Sequence, residues 1–289
     1  MRKKPDLDTI KKYTIRALMS DEKLMYGLVL KGGNALQLAY NITDRASIDI
    51  DFSIEGDFEK EEIPILERII NGVLIKEFEQ IDLIPYDIKF TEKPKENKVK
   101  EWKGYNLEFK LVHFEDFDKE NMHKTRNLSI KINGQSPKFT VDISSYEYID
   151  KSYKIDIEGV ILRVYTPEMI ILEKLRALCQ SLPEYKSIVP SANTKGRARD
   201  LYDIWNITQH FNFDPSTADN IALFKNIFDA KRVPYEFIEL LKNQENENLQ
   251  KENWMSVLDT ITNSSENIQE FEFYYKYTIE ITDKILKNL

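Results

Sequence analysis

The chain has 289 residues, a hydrophobic share of 42%, a charged share of 31% and a formal net charge of −8. These values are typical of a folded globular protein with a sizeable core, and they exclude a disordered or low-complexity chain. The negative charge excludes the broad basic surface of a typical duplex-DNA-binding protein, although a local basic patch can still hold a nucleic acid.

No apolar run approaches the roughly 20 residues that a membrane-spanning helix needs, and the basic N-terminus lacks the apolar region of a secretory signal. The sequence therefore predicts a cytoplasmic protein without a membrane partner. Cys179 is the single cysteine, and its apolar helical surroundings predict a core residue. The three histidines lack the HExxH spacing of zinc enzymes, and a lone cysteine cannot form a CxxC pair.

The hydrophobic pattern predicts an α+β domain with a mixed sheet over residues 1–165 and a helical-bundle domain over residues 166–289. In the first domain the pattern predicts a helix at 7–19 capped by Asp6 or Asp8, a strand or helix end at 24–30, a helix at 34–40, a strand at 46–53, a helix at 59–80, strands at 85–91, 105–114, 127–133 and 138–144, and a hairpin at 152–165. Asn133-Gly134 predicts the turn between strands 127–133 and 138–144.

The second domain begins at Thr166-Pro167, which is a favourable helix start because proline fits the first helical position. A loop is predicted at 182–196, followed by helices at 199–210, 218–228, 234–243, 252–263 and 266–288. The aromatic run from Phe271 to Tyr277 is typical of a bundle core or a partner surface, and less often of base stacking.

Asp49 and Asp51 are two residues apart on the predicted strand, so their side chains share one face. Two carboxylates on one face repel each other unless a cation lies between them, and Mg²⁺ prefers such hard oxygen ligands. Ile48, Ile50 and Phe52 point to the opposite face, towards a core. A solvated strand face is the alternative interpretation of the same spacing.

Lys31-Gly32-Gly33-Asn34 comes directly before the predicted helix at 34–40. Paired glycines let backbone N–H groups approach an anion, and a helix N-terminus adds partial positive charge. The segment therefore predicts a phosphate site next to the aspartate pair, although a simple tight turn also fits Gly-Gly.

Together, the stretch LKGGNALQLAYNITDRASIDIDFSI resembles the active-site motif of DNA polymerase β-like nucleotidyltransferases. It is most similar to the AbiEii/AbiGii toxin family of bacterial toxin–antitoxin and phage-abortive systems. That family shows a Lys-Gly-Gly-(Thr/Ser) turn, a short helix and Arg-x-Ser-x-Asp-x-Asp, which here includes Arg45, Ser47, Asp49 and Asp51. Asn34 is a departure, because a hydroxyl residue usually contacts the triphosphate at this position.

The resemblance extends to later segments. It implies a third carboxylate on a neighbouring strand, for which Asp142 in KFTVDIS is the best match and Asp87 a weaker one. It also implies a functional lysine in TPEMIILEKLRAL, which is Lys174, and a basic loop in GRARDLYDI with Arg197, Arg199, Asp200 and Asp203. A lysine on such an apolar helix needs an anionic partner, either a triphosphate or Asp200.

The implied activity is transfer of a nucleoside monophosphate from an NTP to an acceptor hydroxyl, with release of pyrophosphate. Mg²⁺ or Mn²⁺ is expected on Asp49, Asp51 and Asp142, which with Lys174 form the implied catalytic set. The nucleotide-binding set implied by the resemblance is Lys31, Gly32, Gly33, Asn34, Arg45, Ser47, Lys174 and Asp200. Implied partners are a tRNA end or other RNA as acceptor, and an antitoxin protein.

Two alternatives stay open at this point. One is a transferase that modifies a small molecule such as an aminoglycoside, which the acidic balance of the chain favours slightly over an RNA acceptor. The other is a member without catalytic activity that only binds a nucleotide or a partner, an interpretation that rests on Asn34. The intact Asp49, Asp51 and Asp142 argue against it.

Overall fold

The computed structural model describes residues 5–42, 49–95, 99–132, 136–261 and 268–289. Two predicted nucleotide-binding residues, Arg45 and Ser47, lie outside these ranges, as does the predicted turn at Asn133-Gly134.

Seven strands of the described chain form one mixed sheet, which confirms the predicted α+β class. They are β1 (Val29–Lys31), β2 (Ile50–Ser53), β3 (Leu83–Lys93), β4 (Gly104–His113), β5 (Lys138–Ser144), β6 (Tyr153–Ile157) and β7 (Val160–Val164). Their order across the sheet is β3-β4-β5-β2-β1-β7-β6. Strand β2 runs parallel to β5 and antiparallel to β1, so the centre of the sheet joins segments that are far apart in the sequence.

The helices of the described residues are α1 (Leu7–Met19), α2 (Glu22–Gly27), α3 (Gly32–Tyr40), α4 (Ile63–Phe78), α5 (Met122–Asn127), α6 (Pro167–Gln180), α7 (Ala198–His210), α8 (Ala218–Asp229), α9 (Phe237–Leu240), α10 (Gln244–Glu252), α11 (Met255–Leu258) and α12 (Phe271–Leu286). Asp6, rather than Asp8, caps α1 by accepting a hydrogen bond from the Thr9 amide at 2.7 Å. Pro64 lies in the first turn of α4, where it is tolerated.

The described residues after β7 form helices joined by loops. Thr166 caps α6 and Pro167 occupies its first turn, as predicted. Helix α6 packs against α7 and α8, and α7 packs against α11 and α12. Phe271 and Tyr274 are buried and contact Trp254, so this part of the aromatic run belongs to the core of the helical part. The domain boundary at residue 165 stays a prediction.

The predicted strand at 127–133 is wrong. Residues 122–127 form α5, and residues 128–132 contain no strand. Strand β5 has no edge left to pair with such a strand, since β4 and β2 occupy both of its sides. Ile130 is nevertheless buried, and its amide donates a hydrogen bond to the carbonyl of Leu111 at 2.8 Å. The apolar pattern therefore recorded burial and not strand pairing.

Two helix predictions in the second half are also inaccurate. The predicted helix at 234–243 is a single turn, α9, and the segment predicted as one helix at 252–263 contains the end of α10 and the short α11. Cys179 is buried as predicted, and burial raises the pKa of its thiol. No helix within the described ranges has the length and apolar character required to cross a membrane.

Candidate active site

A row of polar residues crosses five adjacent strands of the sheet. Lys31 on β1 pairs with Asp51 on β2, Asp51 pairs with Asp142 on β5, Asp142 pairs with Asn106 on β4, and Asn106 pairs with Thr91 on β3. Directly paired residues of neighbouring strands project from the same face. The register therefore brings the predicted Asp51 and Asp142 side by side, with the predicted Lys31 on the other flank of Asp51.

Asp51 lies at the electrostatic centre of this row. Removal from water raises the pKa of its carboxyl to about 6, Lys31 opposes that shift, and the carboxylates of Asp142, Glu173 and Asp49 add to it. Burial and nearby negative charges disfavour the ionised form of a carboxyl group, and a bound cation stabilises that form. The charge distribution around Asp51 thus has the character of a cation site.

Asp49 comes just before β2 and not within it, since the strand begins at Ile50. Its carboxylate accepts a hydrogen bond from the Thr140 hydroxyl at 3.2 Å, and its side chain is exposed at the cleft described below. The buried side-chain amide of Asn34 donates to the backbone carbonyl of Asp49. Asn34 therefore fixes the backbone that carries Asp49, and direct contact of Asn34 with a phosphate stays a prediction.

The Gly-Gly turn packs directly against Asp51. Helix α3 begins at Gly32, whose φ is +65°, a backbone conformation that glycine adopts at little cost. A Cβ at this position would lie 3.0 Å from Oδ2 of Asp51. Gly32 and Gly33 both line the cleft, so the start of α3 lies beside the carboxylate pair as the sequence predicts.

A buried ionic cluster holds Lys31, and most of its members were not predicted from the sequence. The Lys31 ammonium lies 3.4 Å from Oε1 of Glu147 and 3.5 Å from Oε1 of Glu173. Glu147 also receives two hydrogen bonds from Arg176, at 2.7 and 3.1 Å, and lies 3.6 Å from the ammonium of Lys231. Glu173 and Arg176 are three residues apart on α6, whereas Lys31, Glu147 and Lys231 come from three other segments that are far apart in the sequence.

The charges in this cluster are strongly coupled. Burial acts to raise the pKa of Glu147, but Arg176, Lys31 and Lys231 outweigh burial and hold it well below its usual range. Burial acts to lower the pKa of Lys31, but the negative charges of Glu147 and Glu173 outweigh burial and raise this pKa above its usual value. Glu147 is thus an ionised anchor, and Lys31 keeps its positive charge beside Asp51.

Lys174 is buried and paired within the helical part. Its ammonium donates to Asp200 at 3.0 Å and to Asp203 at 2.7 Å, and Arg197 forms a further ion pair with Asp200. The sequence predicted Asp200 as a partner of Lys174, and the structure adds Asp203. Asp87 on β3, the weaker candidate for a third carboxylate, instead pairs with Lys110 on β4 and Arg126 on α5.

The aspartates, the Gly-Gly turn and the Lys31 cluster face one cleft of about 770 Å³, a volume in the range of small-molecule sites. Asp49, Asp51 and Asp142 lie on its sheet side, and Lys174, Arg176 and Asp200 on its helical side. Of the described residues, nine lysines and arginines and six aspartates and glutamates line it. The cleft is therefore cationic, in a chain whose net charge is −8.

Residues 15–277 match the model of the family described as nucleotidyl transferase AbiEii toxin, type IV toxin–antitoxin system. The chain belongs to the AbiEii family of nucleotidyltransferase toxins. Two crystal structures from Helicobacter pylori are similar, a putative nucleotidyltransferase and JHP933, each with 17% identity, a TM-score of 0.49 and coverage of 97% of this chain. The alignments cover 93% and 90% of those chains, respectively. No curated protein matches the sequence.

The candidate site has a donor set that suits a cation shared with a substrate. Within the described ranges, no three carboxylate, imidazole or thiol groups come together closely enough to cage a metal. Mg²⁺ is usually bound by one or two carboxylates together with water and substrate phosphates, and needs no cage made of protein alone. Asp51 and Asp142 supply two carboxylates, Asp49 flanks them, and Gly32 and Gly33 border the same space.

Proposed function

We propose that this AbiEii family member transfers a nucleoside monophosphate from an NTP to a hydroxyl group of an RNA, in a reaction that requires a divalent cation. The observation that carries the proposal is the pairing of Asp51 with Asp142 on adjacent strands, beside Lys31 and the Gly-Gly turn. Family membership supports the transferase chemistry, and the charges of the cleft support the choice of substrate.

Asp51 and Asp142 are the proposed principal ligands of Mg²⁺ or Mn²⁺, with Asp49 as a third. When bound, such a cation neutralises phosphate charge and makes an acceptor hydroxyl more acidic. Asn106 supports this role of Asp142, since its side-chain amide donates to Oδ1 of Asp142 at 3.0 Å. The position of Asp49 is held by two hydrogen bonds. Thr140 donates to the Asp49 carboxylate, and Asn34 donates to the Asp49 backbone carbonyl.

The proposed triphosphate subsite is the start of α3. The backbone amides of Gly32 and Gly33 and the helix N-terminus favour an anion there. Lys31 adds a full positive charge that Glu147 and Glu173 hold in a fixed position. The nucleotide-binding set that the family resemblance implies also includes Asn34, Arg45, Ser47, Lys174 and Asp200.

In the proposed reaction, the oxygen of the acceptor hydroxyl forms a bond to the α-phosphorus. The bond from that phosphorus to the bridging oxygen breaks, and pyrophosphate leaves. The hydroxyl proton passes to a base, for which Asp142 is the proposed group. Lys31 stabilises the charge that develops on the phosphates, because a fixed cation in a partly dry site acts without reorganisation.

The charge of the cleft favours RNA over a cationic antibiotic as the acceptor. The exposed side chains of Lys195, Arg197 and Arg199 line one wall, close to the paired Lys174 and Asp200. Such residues bind a phosphate backbone well. An aminoglycoside is itself polycationic and would be repelled by the same wall. A tRNA end is the specific acceptor that the family resemblance implies.

The acceptor is tested by incubating the purified protein with each α-³²P-labelled NTP, Mg²⁺ and one of three acceptor pools: total RNA, deacylated tRNA or aminoglycosides. The proposal expects label in RNA and none on the antibiotics. Arg199→Gln should weaken RNA labelling, since this side chain lines the cleft, while Lys186→Gln is a control outside it. Label that appears only on a small molecule rejects the RNA acceptor.

The type IV description of the family also implies a cognate antitoxin as a partner. We propose that the toxic outcome depends on nucleotide transfer and not on binding alone. Induced expression of the wild type should arrest growth, and expression of Asp51→Asn at an equal level should not. Equal arrest by both proteins would argue for a toxin that acts without catalysis.

A further inference from the structure

Lys93 reaches the candidate cation site from the edge of the sheet. It is the last residue of β3, and β4 lies between β3 and β5. Its register partner on β4 is Gly104, which in turn pairs with Ser144 on β5. From this position the Lys93 ammonium donates to Oδ1 of Asp142 at 3.1 Å.

Two different donors therefore share one carboxylate oxygen of Asp142. Asn106 donates to Oδ1 at 3.0 Å from the directly paired position of β4. Asn106 is neutral, short and partly buried, so it orients the carboxylate without changing the charge of the site. Lys93 is charged and long, and its ammonium is the positive charge that pairs with the Asp142 carboxylate in this structure.

The ion pair between Lys93 and Asp142 is easy to break. The side chains of Lys93 and Asp142 are 63% and 40% exposed. The ion pairs between Lys174 and Asp203 and between Arg176 and Glu147 are, by contrast, buried. Exposed pairs of this kind contribute little net free energy, because water competes for both partners and the lysine loses side-chain entropy. A ligand can therefore displace the ammonium at small cost.

We infer that Lys93 is an exchangeable counter-ion, which neutralises Asp142 when no divalent cation is bound and moves its ammonium to the triphosphate when a cation takes its position. This inference rests on the proposed function, because it needs a cation on Asp142. A divalent cation and an ammonium repel each other at the same carboxylate oxygen. Lys93 must then leave, and the phosphates that arrive with the cation are the nearest new source of negative charge.

The exchange predicts opposite effects of one substitution on two ligands. Lys93→Gln keeps a hydrogen-bond donor but removes the competing charge. Binding of a divalent cation alone should then become stronger, whereas binding of a nucleotide should become weaker. An ordinary surface ion pair with no part in the site predicts neither change. A lysine that only holds the end of β3 in position predicts weaker binding of both ligands.

The experiment measures Mn²⁺ binding without nucleotide by electron paramagnetic resonance of free Mn²⁺, and binding of an NTP analogue with a non-cleavable α–β bridge by calorimetry. For Lys93→Gln we expect the Mn²⁺ dissociation constant to fall about 2- to 5-fold and the analogue dissociation constant to rise about 3- to 10-fold. Lys93→Arg should stay close to the wild type in both. Lys110→Gln, which removes the same charge from a pair with Asp87 away from the cleft, is the matched control.

An unchanged or weaker Mn²⁺ affinity of Lys93→Gln relative to Lys110→Gln overturns the inference, and so does an unchanged affinity for the analogue. Failure of the proposed function has a different signature. In that case the wild type shows no Mn²⁺ site that Asp142→Asn removes, and both the exchange and the cation site are rejected together.

Discussion

Asp51 on β2 and Asp142 on β5 are direct register partners in adjacent parallel strands. The pairing holds two carboxylates together on the rigid centre of a seven-stranded sheet. Such an arrangement lowers the stability of the fold in the absence of a cation, because the two negative charges repel each other. Conserving the geometry of the site and stabilising the fold are therefore opposing demands at this position.

This opposition predicts that Asp51→Asn stabilises the metal-free protein. The substitution removes a charge that its surroundings and Asp142 disfavour, and Lys31 keeps Glu147 and Glu173 as partners. We expect the free energy of unfolding in EDTA to rise by about 1 kcal/mol. Urea denaturation measures it. Asp87→Asn is the contrasting control and should lose stability, because Lys110 and Arg126 stabilise that carboxylate and hold its pKa below the usual range.

Gly32→Ala should impair the site more than the fold. The new methyl group meets Oδ2 of Asp51 at 3.0 Å, and the φ of +65° is unfavourable for alanine. We expect a loss of about 1 to 2 kcal/mol of stability and at least a 10-fold loss of transfer rate.

Gly72→Ala is the control for this substitution. Gly72 lies inside α4, and a Cβ there has no neighbour within 4 Å, so helix propensity predicts a gain of up to about 1 kcal/mol with unchanged transfer. Thermal unfolding and a transfer assay on both variants test the pair. Equal transfer rates for Gly32→Ala and Gly72→Ala would show that the turn does not determine the geometry of Asp51.

Glu147→Gln should strongly destabilise the protein. It leaves Arg176, Lys31 and Lys231 buried around a neutral group, and removal of one partner from a buried ionic cluster costs about 3 to 5 kcal/mol. Glu239→Gln, which removes an exposed carboxylate 3.7 Å from Lys242, should change stability by less than about 0.5 kcal/mol. Chemical denaturation of the two variants at neutral pH distinguishes these outcomes.

The same carboxylate predicts a dependence on pH. Because the pKa of Glu147 is held below its ordinary value of 4.5, its contribution to stability is present above that value and is lost as the pH falls further. Between about pH 6 and about pH 3, the wild type should therefore lose more stability than Glu147→Gln. Parallel stability curves over this range would mean that Glu147 titrates alike in the folded and unfolded chain.

The main role of Lys174 should be to stabilise the fold, because Asp200 and Asp203 already bind its ammonium. Lys174→Met leaves both carboxylates buried without this cation and should cost about 3 to 5 kcal/mol. Adding Asp203→Asn should recover part of that loss, which a double-mutant cycle measures. The predicted role of Lys174 in nucleotide binding is tested separately, by titrating the analogue into the double variant while it is folded. An affinity equal to that of the wild type would remove Lys174 from the nucleotide site.

The sequence predicted the parts of the site that depend on local pattern. Alternation around Asp51 and Asp142 indicated strands, and glycines after Lys31 indicated a turn before a helix. The α+β class, α1, α6 and the hairpin of β6 and β7 followed from the same periodicities. Each of these features is decided by residues within a few positions of one another.

What the sequence did not predict depends on pairing over long range. Glu147, Arg176 and Lys231 carry no local signal, and only the folded chain brings them to Lys31. Asn106 appeared as one polar residue on an alternating strand, and its register opposite Asp142 depends on the order of strands. The erroneous strand at 127–133 has the same origin, since the pattern around Ile130 indicates burial but not whether a sheet edge is vacant.

The most direct test of the account is the rate of α-phosphate transfer to RNA as Mg²⁺ is titrated, for the wild type, Asp51→Asn, Asp142→Asn and the control Asp87→Asn. The account predicts no transfer by the wild type in EDTA, a saturable rise with Mg²⁺, and rates at least about 100-fold lower for both site variants at every Mg²⁺ concentration. Asp87→Asn should follow the wild type. Transfer by Asp51→Asn and Asp142→Asn at the wild-type rate, or undiminished transfer by the wild type in EDTA, would contradict a cation site at the paired aspartates.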